Sequence, residues 1–185
     1  MRISTGLKQS LPLLLLCGVG EVFAGVLFGY SKETLELLPG LIVLVPALIG
    51  LRGNINTTLG SRLGSAAHMG LISSKDFLNN EMKENLKASL ILSVIMSFIA
   101  GLFAYATTLA LGKSSSGIML KIIFIAIVAG SIAGVILAFI TIAIILYSFK
   151  KGLDPDNVTG PSLSTVGDVI TLGCIFGVAF LIGGI

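Results

Sequence analysis

Ile118 to Phe149 is the stretch that decides the fold, and it reads IMLKIIFIAIVAGSIAGVILAFITIAIILYSF with Lys121 as its single charged residue. About 20 helical residues span the roughly 30 Å hydrocarbon core of a bilayer. In lipid a backbone must satisfy its own hydrogen bonds, so a run of this kind is helical. Because it exceeds 20 residues, this helix must tilt or project beyond the membrane.

Four further apolar stretches are also long enough to cross a bilayer. With Ile118–Phe149 they predict transmembrane helices at about 11–29, 37–63, 86–111, 118–149 and 161–185. The polar connection from Ser73 to Lys87 starts with a helix-cap pattern, so a short amphipathic helix is expected there. We therefore predict an all-α integral membrane protein, with residues 1–185 as one transmembrane domain and no soluble regulatory domain.

The composition supports this class. The chain of 185 residues is 55% hydrophobic and 11% charged, against roughly 25% charged residues in a soluble domain. Its basic residues are scattered rather than clustered on a face, which argues against nucleic-acid binding. One histidine and two cysteines indicate neither a disulfide framework nor a zinc site.

The first apolar run has one alternative interpretation. Arg2, Lys8 and the apolar Leu11–Leu16 are typical of a signal peptide. However, the run continues to Gly29 without a small-residue cleavage pattern and contains Glu21. These features favour a retained helix.

The distribution of Lys and Arg predicts the topology. The connections on the N-terminal side hold most of these residues, and cytoplasmic loops carry the excess of Lys and Arg. We expect the N-terminus in the cytoplasm, the C-terminus outside, and a multi-pass protein of the cell membrane. Because five spans do not divide into two equal halves, a homodimer around an axis normal to the membrane is the expected way to enclose a path.

Ionisable residues inside membrane spans usually face an interior or a water-filled cavity and indicate function. Asp168 lies in the fifth span, four residues after Ser164 and three before Thr171. Such spacings place side chains on one helix face. Asp168, Ser164 and Thr165 are therefore candidates for an ion path, the alternative being an Asp that only hydrogen-bonds a neighbouring helix.

The second span adds amide and hydroxyl groups. Asn54 and Thr58 fall on one stripe, while Pro46, Gly50 and Gly53 favour an interrupted helix with carbonyls free for a cavity. The glycines equally suit close helix packing. We expect Arg52 in this span to pair with an acid or to reach the interface.

The roles of two further carboxylates remain open. Glu21 in the first span is expected to pair with Arg52 or to act as a protonatable coupling residue. Asp154 lies in an Asp-Pro-Asp-Asn segment, which is a common turn and helix-entry signal. Carboxylates at a cytoplasmic mouth would also concentrate cations.

The chemistry of these candidate ligands narrows the choice of transported ion. All potential ligands are oxygens, which suit Mg²⁺, Ca²⁺ or Mn²⁺ better than zinc or copper. Mg²⁺ keeps several of its waters in proteins, so a site with few carboxylates suits it. We expect Mg²⁺ as the transported ion, with Mn²⁺, Ca²⁺ or Na⁺ as alternatives, and no organic cofactor.

Two motifs resemble those of the MgtE superfamily of magnesium transporters, especially its eukaryotic solute-carrier members. The first runs from Pro46 through Gly-Leu-Arg-Gly-Asn54 to His68. The second is Gly152-Leu-Asp-Pro-Asp-Asn-Val-Thr-Gly-Pro161 followed by Ser164-Thr-Val-Gly-Asp168. They occur in the family's order, on the second and fifth spans.

The resemblance implies a homodimer of five-helix subunits, with a Mg²⁺ path at or near the dimer interface that helices 2 and 5 line. It implies that Asp168 recognises the hydrated ion and that Asn54 and Asp154 match the Gly-Asn and Asp-Pro motifs. Gly160 and Ser164 match positions beside the ion site. This chain differs from the bacterial channels because it has no expected Mg²⁺-sensing domain, and it is similar to one half of the two-part eukaryotic transporters.

Four functions stay open from the sequence. The expected function is a channel-like Mg²⁺ transporter, and the main alternative is an exchanger coupled to Na⁺ or H⁺ through Glu21. An intramembrane aspartyl protease is disfavoured because Thr165-Val-Gly-Asp168 lacks the first glycine of its signature and no second membrane Asp completes a dyad. We therefore expect no enzyme. A purely structural subunit would explain the glycines but not Asp168 with Asn54.

Overall fold

A computed structural model of the chain describes residues 3–72, 79–112, 116–151 and 155–182. The regular elements in these ranges are helices, of which five are long and one is short. They are α1 (Ile3–Tyr30), α2 (Lys32–Leu37), α3 (Leu41–His68), α4 (Asn80–Ala110), α5 (Ser116–Lys151) and α6 (Pro155–Leu181).

The five long helices are all apolar and long enough to cross a membrane. The expectation of an all-α protein with five transmembrane helices is confirmed at this level. The orientation of the termini and the homodimer stay predictions, as does the absence of a soluble domain.

All five long helices begin at other residues than expected: α1 starts at Ile3 rather than 11, and α5 at Ser116 rather than 118. Leu38, Pro39 and Gly40 separate α2 from α3, so α3 starts at Leu41. The helix α4 starts at Asn80, where the Asn79 side chain accepts a hydrogen bond from the Met82 amide at 3.0 Å. Residues Asn80 to Lys87 form the first turns of α4. The prediction of a separate amphipathic helix is therefore wrong for these residues. The predicted cap at 73–76 lies outside the described residues.

The helix α6 begins at Pro155, six residues before the predicted start at 161. Proline suits a first helical turn because its missing N–H has no partner there in any case. Pro161 then lies inside α6. This places Gly160 and the following polar residues within the helix rather than at its entrance.

The interruption expected in the second span is absent, since α3 runs as one helix from Leu41 to His68. Pro46 lies in its second turn, where it removes a single backbone hydrogen bond. Among the glycines of α3, Gly60 leaves room for the methyl group of Thr159 on α6, whereas a Cβ at Gly50 or Gly53 would meet nothing within 4 Å.

The helices are buried to very different degrees. Half of the most apolar window of α5 is buried inside the protein, against 6% of that of α1. The helix α5 packs against α3, α4 and α6, whereas α1 packs along α6 and touches α2. In consequence α5 forms the centre of the bundle, and the large apolar side chains of α1 face outward.

Candidate ion site

Three of the predicted site residues come together where α1 crosses α6. The Thr165 hydroxyl on α6 donates to Oε1 of Glu21 on α1 at 3.0 Å. The Asp168 carboxyl, one helical turn further along α6, lines the same cavity as Glu21. The candidate site is therefore a pair of acidic side chains from two helices, one of which accepts a hydrogen bond from the Thr165 hydroxyl.

Small residues bring α1 and α6 close enough for these contacts. A side chain at Gly20 would collide with the methyl group of Thr165. One helical turn before Glu21, the Cys17 thiol donates to the Pro161 carbonyl at 3.4 Å. At the other end of the contact, the Phe28 and Phe176 rings lie 6.3 Å apart between centroids. Glu21 is thus held beside Asp168 by packing on both sides.

The two carboxyls open into a cavity of about 260 Å³. Its other walls come from α1, from Ile49 of α3 and from Leu172 of α6. Water occupies about 30 Å³ per molecule in the liquid, so the six waters of an octahedral Mg²⁺ shell need roughly 180 Å³. The cavity is large enough for a hydrated divalent ion.

The donor set suits an ion that keeps its waters. Within the part of the chain that the structure describes, no three His, Cys, Asp or Glu side chains come together as a metal cage. Two carboxyls and a hydroxyl supply only part of a coordination shell. An ion in this cavity would therefore contact the protein partly through water, as Mg²⁺ commonly does.

The remaining predicted residues of α6 have distinct surroundings. Ser164 is exposed one turn from Asp168, and a methyl group added at half-buried Gly160 would meet nothing within 4 Å. Thr171, expected on the same polar stripe, is instead fully buried. Asp154 lies outside the described residues, so its role at the mouth stays a prediction.

Asn54 and Thr58 lie apart from the two carboxyls. Both line a second cavity, of about 250 Å³, between α3 and α4. The Thr58 hydroxyl donates to the Asn54 carbonyl at 2.8 Å. The structure of one chain therefore does not bring these two residues to Asp168, and their contact with the ion stays a prediction.

Arg52 does not pair with Glu21 or reach the interface, so both expectations are wrong. Its side chain is fully buried, and Nη2 donates to the Ser93 carbonyl at 3.0 Å and to the Ser97 hydroxyl, both on α4. On α5, a Cβ at Gly134 would lie 2.5 Å from Nη1. The guanidinium therefore fills a slot between α4 and α5.

The sequence reasoning missed this slot although a signal was present. Ser89, Ser93 and Ser97 recur at four-residue spacing on α4, as do Gly130 and Gly134 on α5. Such spacing puts small residues on one helix face and allows close helix packing. Gly20 leaves room on α1 for the methyl group of Thr165, and this packing role was not predicted from the sequence either.

The fold and the site together define a multi-pass helical membrane protein with an acidic cavity between its helices. The MgtE family model, described as divalent cation transporter, matches residues 45–178. Since this match covers most of the chain, the protein belongs to the MgtE family of divalent cation transporters.

Several named relatives align with nearly the whole chain. Solute carrier family 41 member 2 of Xenopus laevis is 31% identical over 170 residues, which cover 90% of this chain and 30% of that protein. Solute carrier family 41 member 3 of Mus musculus is 30% identical, covering 92% of this chain and 35% of that protein. Magnesium transporter MgtE of Bacillus subtilis is 24% identical, covering 92% of this chain and 36% of that protein.

The chain thus spans about a third of the length of the curated relatives it matches. These relatives and the matched family are transporters by name, in agreement with the expectation of a non-enzyme. No solved structure matches the chain.

Proposed function

We propose that this protein moves Mg²⁺ across the membrane and that Asp168, with Glu21 and Thr165, recognises the hydrated ion. The observation that carries the proposal is that Glu21 and Asp168, two carboxyls in spanning helices, line one cavity. Membership in a family of divalent cation transporters supports the same assignment. The name of the Bacillus subtilis relative favours Mg²⁺ over Mn²⁺ and Ca²⁺, which accept the same oxygen ligands.

Electrostatics explains why a divalent cation suits this cavity. Two ionised carboxyls repel each other, by roughly 4 kcal/mol at a separation of 4 Å and an effective dielectric constant of 20. A divalent ion between them replaces this repulsion by attraction to both. The Thr165 hydroxyl, by donating to Glu21, keeps that carboxyl turned toward α6.

We propose that the working unit is a homodimer with the N-terminus in the cytoplasm. Glu21 is exposed on α1, the least buried of the spanning helices. A charged side chain facing lipid costs about 2.5–3.5 kcal/mol on insertion scales. A second copy over this face would remove Glu21 from lipid and close the path from outside.

In this proposal the path follows α3 and α6, as expected, and α1 is added to it. Ile49 of α3 and Leu172 of α6 supply apolar walls beside the carboxyls. Asn54 and Thr58 are proposed as path residues away from the carboxyl pair. Ser164 and Gly160 extend the open side of α6 from Asp168 toward Pro155.

A coupled exchanger is the second candidate function, and the cavity that Glu21 and Asp168 share favours it. A carboxyl in the same cavity as the ion-binding Asp can bind a proton or Na⁺ when Mg²⁺ leaves. Under this mechanism Glu21 carries the coupling ion. Under the channel-like mechanism it only helps to bind Mg²⁺.

Mg²⁺ uptake by proteoliposomes containing the purified chain tests both mechanisms. The assay is run with and without an imposed Na⁺ or pH gradient, for wild type and Glu21→Gln. Uptake without a gradient supports the channel-like mechanism, whereas uptake that follows the gradient and becomes gradient-independent in Glu21→Gln supports exchange. Folded wild-type protein that takes up no Mg²⁺ under any gradient would overturn the proposal.

A further inference from the structure

Arg52 is a buried charge to which the ion site described above gives no role. Its side chain is fully buried in α3. Among the side chains that the structure describes, no carboxylate forms an ion pair with it, and its Nε and Nη1 atoms have no hydrogen-bond partner there. Buried charges are normally paired, because taking a charge out of water without compensation is costly. An unpaired ionisable residue in a span is therefore expected to serve function.

Two contacts between α3 and α6 place Arg52 at the same depth in the membrane as Asp168. A Cβ at Gly60 of α3 would meet the methyl group of Thr159 of α6, and Ile49 of α3 lines the carboxyl cavity together with Asp168. The two helices therefore run antiparallel. From the Gly60–Thr159 contact, Arg52 lies about 12 Å along α3 and Asp168 about 13 Å along α6, at 1.5 Å per residue.

The contacts of α5 lead to the same depth. A Cβ at Gly134 would lie 2.5 Å from Nη1 of Arg52, and a Cβ at Gly167 would lie 3.8 Å from the Leu137 side chain. Gly134 is three residues from Leu137, and Asp168 directly follows Gly167. The guanidinium and the Asp168 carboxyl therefore differ in depth by no more than about one helical turn of 5.4 Å.

Laterally, the guanidinium and the carboxyl cavity lie beside different helices. Arg52 donates to the Ser93 carbonyl and the Ser97 hydroxyl on α4, whereas the cavity lies where α1 crosses α6. The helices α3 and α5 pack against both α4 and α6 and lie between them. Since packed helices are about 8–10 Å apart between their axes, the two groups are separated by roughly 10–15 Å.

A charge at this distance acts on the ion site through its electric field. At about 12 Å and an effective dielectric constant of about 20, the interaction between two unit charges changes a binding constant about tenfold. The repulsion of a divalent ion is twice as large. Because the guanidinium is buried, salt screens this field only weakly.

We infer that Arg52 limits the affinity of the site at Glu21 and Asp168 for Mg²⁺, so that an ion attracted by two carboxyls is also released. Conduction requires binding that is strong enough for entry and weak enough for departure. The inference rests on the proposed function and adds a residue that tunes the same site without touching the ion. Arginine suits this role because its guanidinium stays charged in proteins.

The dependence of Mg²⁺ uptake by proteoliposomes on Mg²⁺ concentration tests the inference. Arg52→Gln keeps an N–H donor for the Ser93 carbonyl but removes the charge. The half-saturating Mg²⁺ concentration should therefore fall about ten- to hundredfold, and the maximal rate should fall as release slows. Arg52→Lys keeps the charge and should stay close to the wild-type half-saturating concentration. Structural damage would instead lower the maximal rate without tightening binding.

A second variant reaches the same end while keeping Arg52 in place. Ser97→Asp puts a carboxylate against Nη2 of Arg52 and neutralises its field, so this variant should also have a lower half-saturating concentration. Arg62→Gln is the matched control, because it removes a cation from an exposed position of α3 about 15 Å further along the helix. It should take up Mg²⁺ as wild type does, and circular dichroism checks that every variant is folded.

Two results would overturn the inference and leave the proposed function intact. One is a half-saturating concentration in folded Arg52→Gln or Ser97→Asp that equals or exceeds that of wild type. The other is a decrease in Arg52→Lys as large as that in Arg52→Gln. Folded wild-type protein that takes up no Mg²⁺ would overturn the proposed function itself, and the role of Arg52 with it.

Discussion

Thr165 on α6 donates its hydroxyl to Oε1 of Glu21 on α1 at 3.0 Å, three residues before Asp168 on the same helix. This contact joins the least buried spanning helix to α6 one turn before Asp168. Apart from this crossing, α1 contributes little to the core. The contact therefore explains why an outer helix carries a glutamate at this depth.

Thr165→Val should lower Mg²⁺ uptake without unfolding the protein. The substitution keeps the side-chain volume but removes the donor to Glu21, and hydrogen bonds to charged groups contribute about 1.5–3 kcal/mol. An apparent Mg²⁺ affinity about tenfold weaker is expected from proteoliposome uptake. Thr165→Ser keeps the hydroxyl and should behave as wild type. Equal uptake by the Val and Ser variants would show that the hydroxyl does not position Glu21.

Gly20→Ala should push α1 away from α6 and reduce uptake, because the new methyl group collides with the methyl group of Thr165. Thr165→Ser deletes that methyl group, so the double variant Gly20→Ala/Thr165→Ser should regain most of the uptake. Gly18→Ala is the control, since a Cβ at Gly18 meets nothing within 4 Å. A double variant as impaired as Gly20→Ala alone would contradict the assigned contact.

Gly134→Ala should destabilise the bundle through the Arg52 slot. A Cβ at Gly134 would lie 2.5 Å from Nη1 of Arg52 and 2.8 Å from the Ser93 hydroxyl. Overpacking of this kind costs about 1–3 kcal/mol, which corresponds to a melting midpoint lower by roughly 2–4 °C per kcal/mol. Gly173→Ala adds the same methyl group in open space and should melt as wild type does in the same detergent.

The five spanning helices could be predicted because each is a long apolar run, and such a run leaves the backbone few alternatives in lipid. Their ends were less predictable. The charged turns from Asn80 to Lys87 continue α4, and the segment from Pro155 extends α6. In both cases the polar composition predicts a connection between helices. The residues are nevertheless helical, because they continue a helix already formed in the membrane.

The site was predictable only in part. Glu21, Thr165 and Asp168 could be chosen as candidates because ionisable and hydroxyl residues are costly in a span. That Glu21 meets Asp168 and not Arg52 depends on the rotation of α1 and α3 about their axes, which single-helix patterns do not determine. The same rotation turns Asn54 toward α4, away from the carboxyl pair.

Mg²⁺ uptake by proteoliposomes of Asp168→Asn is the most direct test of the central claim. Asn keeps the size of the side chain and removes the charge that attracts the ion. The control is Glu36→Gln, which neutralises an exposed carboxylate paired with Lys32 at 3.6 Å, outside the long helices. We expect uptake to be lost in Asp168→Asn and retained in Glu36→Gln, with both proteins folded. Wild-type uptake by Asp168→Asn would contradict ion recognition by Asp168.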